Sequence, residues 1–237
     1  MTSTSKFNQL LPLLLPQALA SLGPMEAVDL PLRTMLEPAG KPIKFIYFLQ
    51  TGMASVVAGM SSSDPIELGL IGREGITGLA VVAGGSQTPF DTFMQVEGSA
   101  LRMPAAAMTA ALESTPSLRA MLTLYAYAFS IQLASTAAAN GRSSMEGRLA
   151  RWLLMVSDRV GRDFHITHEF LGVMLAAPRP GVSLAMKKLA GDGLIRSTRN
   201  GVEILNRAEL IARSGAAYGT AEREYKRLMT KAPRDGV

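Results

Sequence analysis

The chain contains no cysteine, and only two histidines and one tryptophan. Without cysteine there can be no disulfide, no thiolate nucleophile and no cysteine-held zinc or iron–sulfur cluster. The histidines, His165 and His168, stand three residues apart with no cluster of carboxylates beside them, so a surface or capping role outweighs a metal site. Long apolar runs are missing too, and none approaches the ~20 residues a membrane span needs. The apolar stretch Leu10 to Leu22 is broken by Pro12 and Pro16 and lacks a charged leader. It reads as a short amphipathic helix rather than a signal peptide. These absences fit a reducing cytoplasm with no membrane partner. Enzyme signatures are lacking as well: there is no nucleophile elbow and no glycine-rich phosphate loop opening a helix. Gly84-Gly85-Ser86 is too short to serve as one. The sequence is therefore not expected to encode an enzyme.

What is present is a core-forming composition with a split charge. Apolar residues make up 48% of 237, ample for a packed interior. Residues 1–141 carry 7 Lys/Arg against 9 Asp/Glu, and residues 142–237 carry 17 against 10, so net charges of −2 and +7 sum to +5. A basic C-terminal part suits a polyanion partner, although a solvated basic surface would read the same way.

From Leu30 to about Met103, short apolar runs alternate with Gly/Pro turns: Ile43 to Leu49, Ala54 to Gly59, Ile66 to Ile71, Ile76 to Val82, Phe93 to Val96 and Ala100 to Met103. That spacing predicts a β-sandwich or barrel-like roll. From Pro104 the chain turns Ala/Leu/Met-rich, with Pro104 suited to a first helical position and Thr115-Pro116 to the start of a longer helix. In the latter, Leu118, Leu122, Tyr125, Phe129, Gln132 and Thr136 follow 4-3 spacing. This seam could pack on its own domain or pair with a second subunit, and the helix's length leans toward pairing. Asn140-Gly141 should end it. Ser143 to Glu146 then reads as a capping box. The next helix places Leu149, Trp152, Leu153, Val156 and Val160 on one side and Arg148, Arg151 and Arg159 around the other.

Ile166 to Leu175 predicts a short helix capped by Thr167, and Ala176-Ala177 leads tightly into a second helix over Pro178 to Gly191. On that second helix Val182, Ala185, Met186 and Leu189 form a packing face. Arg179, Ser183 and Lys187 recur every four residues on another face, with Lys188 alongside. Arg179 suits base readout, because its planar fork can bond guanine O6 and N7 together. Ser183, Lys187 and Lys188 suit phosphates. Asn200-Gly201 between two β-prone runs signals a hairpin, which would set Arg196 and Arg199 on a wing near a DNA backbone.

The order of β-roll, long helix and winged helix resembles the Crp/Fnr family of bacterial regulators from about Leu10 to Leu210. Its local marks are Gly69-Leu70-Ile71-Gly72-Arg73-Glu74-Gly75, Gly147 to Leu154, and Leu189 to Ile195. The resemblance implies an α+β fold: a jelly-roll-like (double-stranded β-helix) roll over residues 1–114, a long dimerisation helix and hinge over 115–142, and a winged helix-turn-helix over 143–237. It further implies a homodimer through the Leu118 to Thr136 seam, with recognition helices in major grooves about one DNA turn apart. RNA polymerase or an unknown small-molecule effector are further partners it implies.

The sequence departs from the family at the effector site. Relatives that bind cyclic nucleotides carry Gly-Glu and Arg-Ser pairs in the roll. The nearest matches here are Gly72, Glu74 and Gly75, followed by Gln87 and Thr88, and no Lys or Arg occurs from Glu74 to Leu101. A buried phosphate would have no cation, so cyclic AMP is not an expected ligand. Haem is not expected either, since both histidines fall in the DNA-binding part. The recognition helix is unusual in Pro178, Pro180 and Gly181, of which an interior glycine would cost about 1 kcal/mol. Two readings follow: a DNA-binding regulator, or a ligand- or protein-sensing roll whose C-terminal domain no longer reads DNA.

Overall fold

The computed structural model describes residues 7–59, 65–166, 168–198 and 201–230. A 3-10 turn at Leu11–Leu13 and α1 (Pro16–Ser21) use Pro12 and Pro16 in their first turns, where a missing amide costs nothing. Seven strands follow, interrupted by one short helix: β1 (Glu26–Leu30), β2 (Met35–Glu37), β3 (Phe45–Leu49), β4 (Met53–Gly59), β5 (Pro65–Ile71), α2 (Leu79–Val82), β6 (Asp91–Val96) and β7 (Gly98–Pro104). They form two antiparallel sheets, of order β1-β7-β3 and β2-β6-β4-β5. Strand β3 shows why they close. Its period-2 alternation sends Tyr47 and Leu49 into the roll interior and Ile46 and Phe48 outward against the helices. The β3–β4 turn depends on Gly52, whose φ is +74° and whose absent Cβ would lie 2.6 Å from the Val96 and Glu97 carbonyl oxygens.

The run Ile76 to Val82, expected as a strand, keeps only one β-bridge, Ile76 to Phe48, before turning into α2. The cause is Gly78, whose φ of +79° breaks the extended backbone.

Next come α3 (Ala105–Ser114) and α4 (Pro116–Arg142), the latter with Thr115 at the N-cap and Pro116 first in the helix, as expected. Pro104 instead closes β7 and caps α3 from outside. Helix α4 runs past Asn140-Gly141 to Arg142, because a glycine in a helix weakens it without ending it.

The 4-3 seam is a correction. Leu118, Leu122 and Tyr125 are buried in the core that α4 shares with α1, α3 and β3, and Phe129 fills the roll interior. Gln132 accepts from the Leu70 amide at 2.7 Å and donates to its carbonyl at 3.1 Å, while Thr136 receives Arg151 Nη2 at 3.1 Å. The helix lies across its own roll, so this seam is used within the chain. The opposite face is exposed at Ala120, Thr123, Tyr127, Ser130, Ala134 and Ala137, again at 3-4 spacing.

Beyond α4 lie α5 (Met145–Val160), β8 (Asp163–His165), α6 (His168–Met174), α7 (Arg179–Gly191), β9 (Ile195–Ser197), β10 (Gly201–Ile204), α8 (Arg207–Ser214) and α9 (Thr220–Thr230). The N-cap of α5 is Ser144, not Ser143: its Oγ accepts from the Gly147 amide at 3.2 Å. Glu146 does not return to a capping amide but holds Lys188 and Arg213. Strands β8-β10-β9 make a third small sheet, and Leu149, Leu153, Val156, Leu171, Val182 and Leu189 are fully buried beneath it. Helix α9 returns to α4, adding Leu228 and Met229 to the core around Leu118 and Leu122. No described helix is long and apolar enough to cross a membrane.

Candidate nucleic-acid interface

The connection from α6 to α7 is tight for a local reason. The Ala177 amide reaches back to the Gly172 carbonyl at 3.0 Å, and Ala176 takes a left-handed φ of +46°. Pro178 is the N-cap of α7 and Pro180 its second residue, so both occupy amide positions that lack helical partners anyway. Gly181 also lies in this first turn, its amide bonded to the Pro178 carbonyl at 2.9 Å, so the penalty of an interior glycine does not apply.

The division of α7 read from sequence holds on its packing side: Val182, Ala185, Met186 and Leu189 are buried. On the outer side Arg179, Lys187 and Lys188 are exposed and Ser183 is half-buried. Lys188 is already engaged, its Nζ 2.6 Å from Glu146 Oε1, and Arg213 links Glu146 to Asp192 at 3.1 and 2.7 Å. The hydrogen bond from Lys188, aided by Arg213, holds the Glu146 carboxyl below the usual range. Arg179 and Lys187 pair with no acid among the described residues. On the wing, Arg196 is exposed and ion-paired across the hairpin with Glu203. Thr167 and Arg199 lie outside the described residues. The outer side also holds a residue the sequence reading passed over, Leu184, at 69% exposure. Its signal was available, since it lies one position from Ser183 and off the packing stripe.

The second feature missed from sequence is the joint between this unit and the roll. Arg148, Arg151 and Arg159, placed by sequence around the side of α5 away from its apolar residues, turn inward. Arg159 meets Glu74 at 2.7 Å, with side-chain exposures of 9% and 18%. Arg148 donates to the Leu175 carbonyl and to Asn140 Oδ1. Trp152 Nε1 donates to Glu67 Oε1 at 2.7 Å, and Ser55 Oγ donates to the other oxygen at 2.7 Å. Burial pushes the Glu67 carboxyl up to about 7, with the Ser55 and Trp152 hydrogen bonds and the Arg151 and Arg159 charges opposing. A buried Glu on β5 facing a Trp on α5, 85 residues along the chain, has no sequence periodicity to reveal it.

The expected effector set also needs correction. Gly72, Glu74 and Gly75 form a turn at the end of β5 that faces α5 and α9, beside a cavity of about 640 Å³. Tyr225 donates to the Glu74 carbonyl at 2.7 Å there. Thr88 lines a different cavity, about 320 Å³ between the roll and α4, and Gln87 is exposed. The residues were matched by resemblance to the family's Gly-Glu and Arg-Ser pairs, but the Gly72–Gly75 turn carries Glu74 to the outside of the roll. The acid that does line the roll cavity is Glu37, which accepts from Thr92 Oγ1 at 2.7 Å and from the Gly78 amide. Burial raises its carboxyl.

A roll joined by a long helix to a helix-turn-helix with a hairpin wing defines the class of protein. Residues 147–213 match the family described as the Crp-like helix-turn-helix domain. Solved structures with the same fold include FixK2 from Bradyrhizobium japonicum (TM-score 0.70, 15% identity, covering 82% of this chain and 100% of that one). A Crp-family transcriptional regulator from Thermus thermophilus is also similar (TM-score 0.65, 19% identity, 81% and 97%). So is the c-di-GMP-responsive global regulator CLP of Xanthomonas campestris (TM-score 0.61, 15% identity, 77% and 95%). A search of curated proteins found no match. The chain thus carries a Crp-like helix-turn-helix domain within the overall fold of Crp/Fnr regulators.

Proposed function

We propose that the chain is a homodimeric transcription regulator that binds double-stranded DNA in the cytoplasm through α7 and the β9–β10 wing. The observation that carries this reading is the polarity of α7: one stripe buried in the domain, and Arg179 and Lys187 exposed on the outer side without acidic partners among the described residues. Arg179 at the helix start suits a guanine edge, and Lys187 a phosphate. Ser183, half-buried, is better placed for a phosphate than a base, and Lys188 and Arg196 add positive field while already paired.

The roll cavity argues against cyclic AMP control. Its wall includes the carboxyl of Glu37 and no Lys or Arg among the described residues, so an anionic phosphate would meet repulsion and no counter-charge. Fluorescence polarisation against a duplex selected from a random-site library tests the whole reading. Specific binding should weaken as salt rises, lose five- to 150-fold with Arg179→Ala (about 1–3 kcal/mol), and stay unchanged when micromolar cyclic AMP is added. A library that yields no consensus would favour a roll whose C-terminal domain no longer reads DNA.

The dimer in this reading uses the outer face of α4, since the seam through Leu118 and Phe129 is internally occupied. Ala120, Ser130, Ala134 and Ala137 are small enough for two such helices to approach closely, with Tyr127, 54% exposed, as the large contact. Ala134→Glu places like charges across the two-fold axis and should shift sedimentation toward the monomer. An unchanged dimer would relocate the interface.

A further inference from the structure

Resting on the DNA-reading function above, we infer that Leu184 reads the 5-methyl group of a thymine in each half-site. Advancing by about 100° per residue, α7 turns Val182, Ala185, Met186 and Leu189 into the domain and leaves Leu184 on the opposite side. Pro180 lies one turn before it and Lys187 follows it. Leu184 is 69% exposed, against 42% for Leu205 and 39% for Ile211, the other exposed large apolar side chains described in the matched domain. An isolated exposed leucine is ordinary on a protein surface. One at the outermost point of a helix that enters a groove is not, because docking must desolvate it.

The chemistry then limits its partner. Leucine has no donor or acceptor, so against guanine, cytosine or adenine edges it would displace water from polar atoms without replacing the hydrogen bonds. Thymine alone presents an apolar group in the major groove, its C5 methyl. The neighbouring side chains leave the position to Leu184: Lys188 is drawn back to Glu146, and Arg179 and Ser183 approach from the flank.

The test uses the full chain and the duplex selected from a random-site library, with each thymine replaced in turn by deoxyuridine, which lacks only the methyl. One position per half-site should lose about fourfold in affinity, the effect of one buried methyl-sized group. The same replacement should cost nothing further in Leu184→Ala, whose exposed site leaves folding intact, as a melting curve would show. The inference is overturned if no deoxyuridine position weakens binding, or if the loss is the same in Leu184→Ala. Failure to select any duplex would instead remove the DNA-reading function on which it rests.

Discussion

Replacing Arg159 with alanine should destabilise the chain by about 3 kcal/mol in urea denaturation. Removing one partner from a buried ion pair typically costs about 3–5 kcal/mol, and the lower end applies because Glu74 keeps 18% exposure toward the adjoining cavity. Arg159 also donates to the Met155 carbonyl at 2.7 Å, a bond lost with it. The double variant Glu74→Gln/Arg159→Met should recover part of the loss, because it leaves no unpaired charge. A loss below about 1 kcal/mol would mean that the pair behaves like one exposed to water. Since Glu74 belongs to the β5 turn and Arg159 to α5, the same variant should also loosen the joint. Faster amide exchange at the β5 turn is the expected sign.

The second large effect is set by pH. The Glu67 carboxyl lies at about 7 in the folded chain because burial disfavours its charge, against an ordinary value of 4.5. The folded state therefore holds this proton more tightly than the unfolded state. Its contribution to stability is complete below 4.5 and is lost as pH rises through about 7, a decline of about 3 kcal/mol in all. Glu67→Gln, which keeps an acceptor for Trp152 but cannot ionise, should match the wild type near pH ~4 and exceed it by up to that amount at pH ~8.5. Comparing the two cancels the opposite drift from acids such as Glu146, whose carboxyl is lowered. Trp152 is the chain's one tryptophan and bonds to Glu67 directly. Its emission should titrate near pH 7 in the wild type and stay flat in the variant. A flat wild-type profile would show that Glu67 does not change its protonation across this range and would overturn the assignment.

Both effects come from residues whose roles were invisible in the linear chain, while the general architecture was legible there. Local patterns carried that far. The short apolar run Ile43 to Leu49 marked a strand, Thr115-Pro116 marked a helix start, and Val182, Ala185, Met186 and Leu189 marked the packing side of α7. Each depends on backbone geometry within a few residues, and the resemblance to Crp/Fnr regulators built on them agrees with the domain match over residues 147–213.

Periodicity alone, however, says that a face is apolar and not what it touches. The Leu118 to Phe129 seam was correctly apolar, yet its partner is the chain's own roll rather than a second subunit. Arg148, Arg151 and Arg159 could be placed on one side of their helix but not given partners, because their acceptors, Asn140, Thr136 and Glu74, lie on other elements. Glu74 matched an effector position by resemblance to the family's Gly-Glu pair, and one turn at Gly72–Gly75 took it outside the roll and left Glu37 to line the cavity. By itself the sequence determined the elements, the absence of thiol chemistry, the basic C-terminal part and the polarity of the recognition helix, because these are local or additive properties. Which charges are buried and paired, which face of α4 remains open, and that Leu184 stands outermost on α7 were decided only by tertiary packing. Solvent exposure and ion pairing belong to contacts between distant segments.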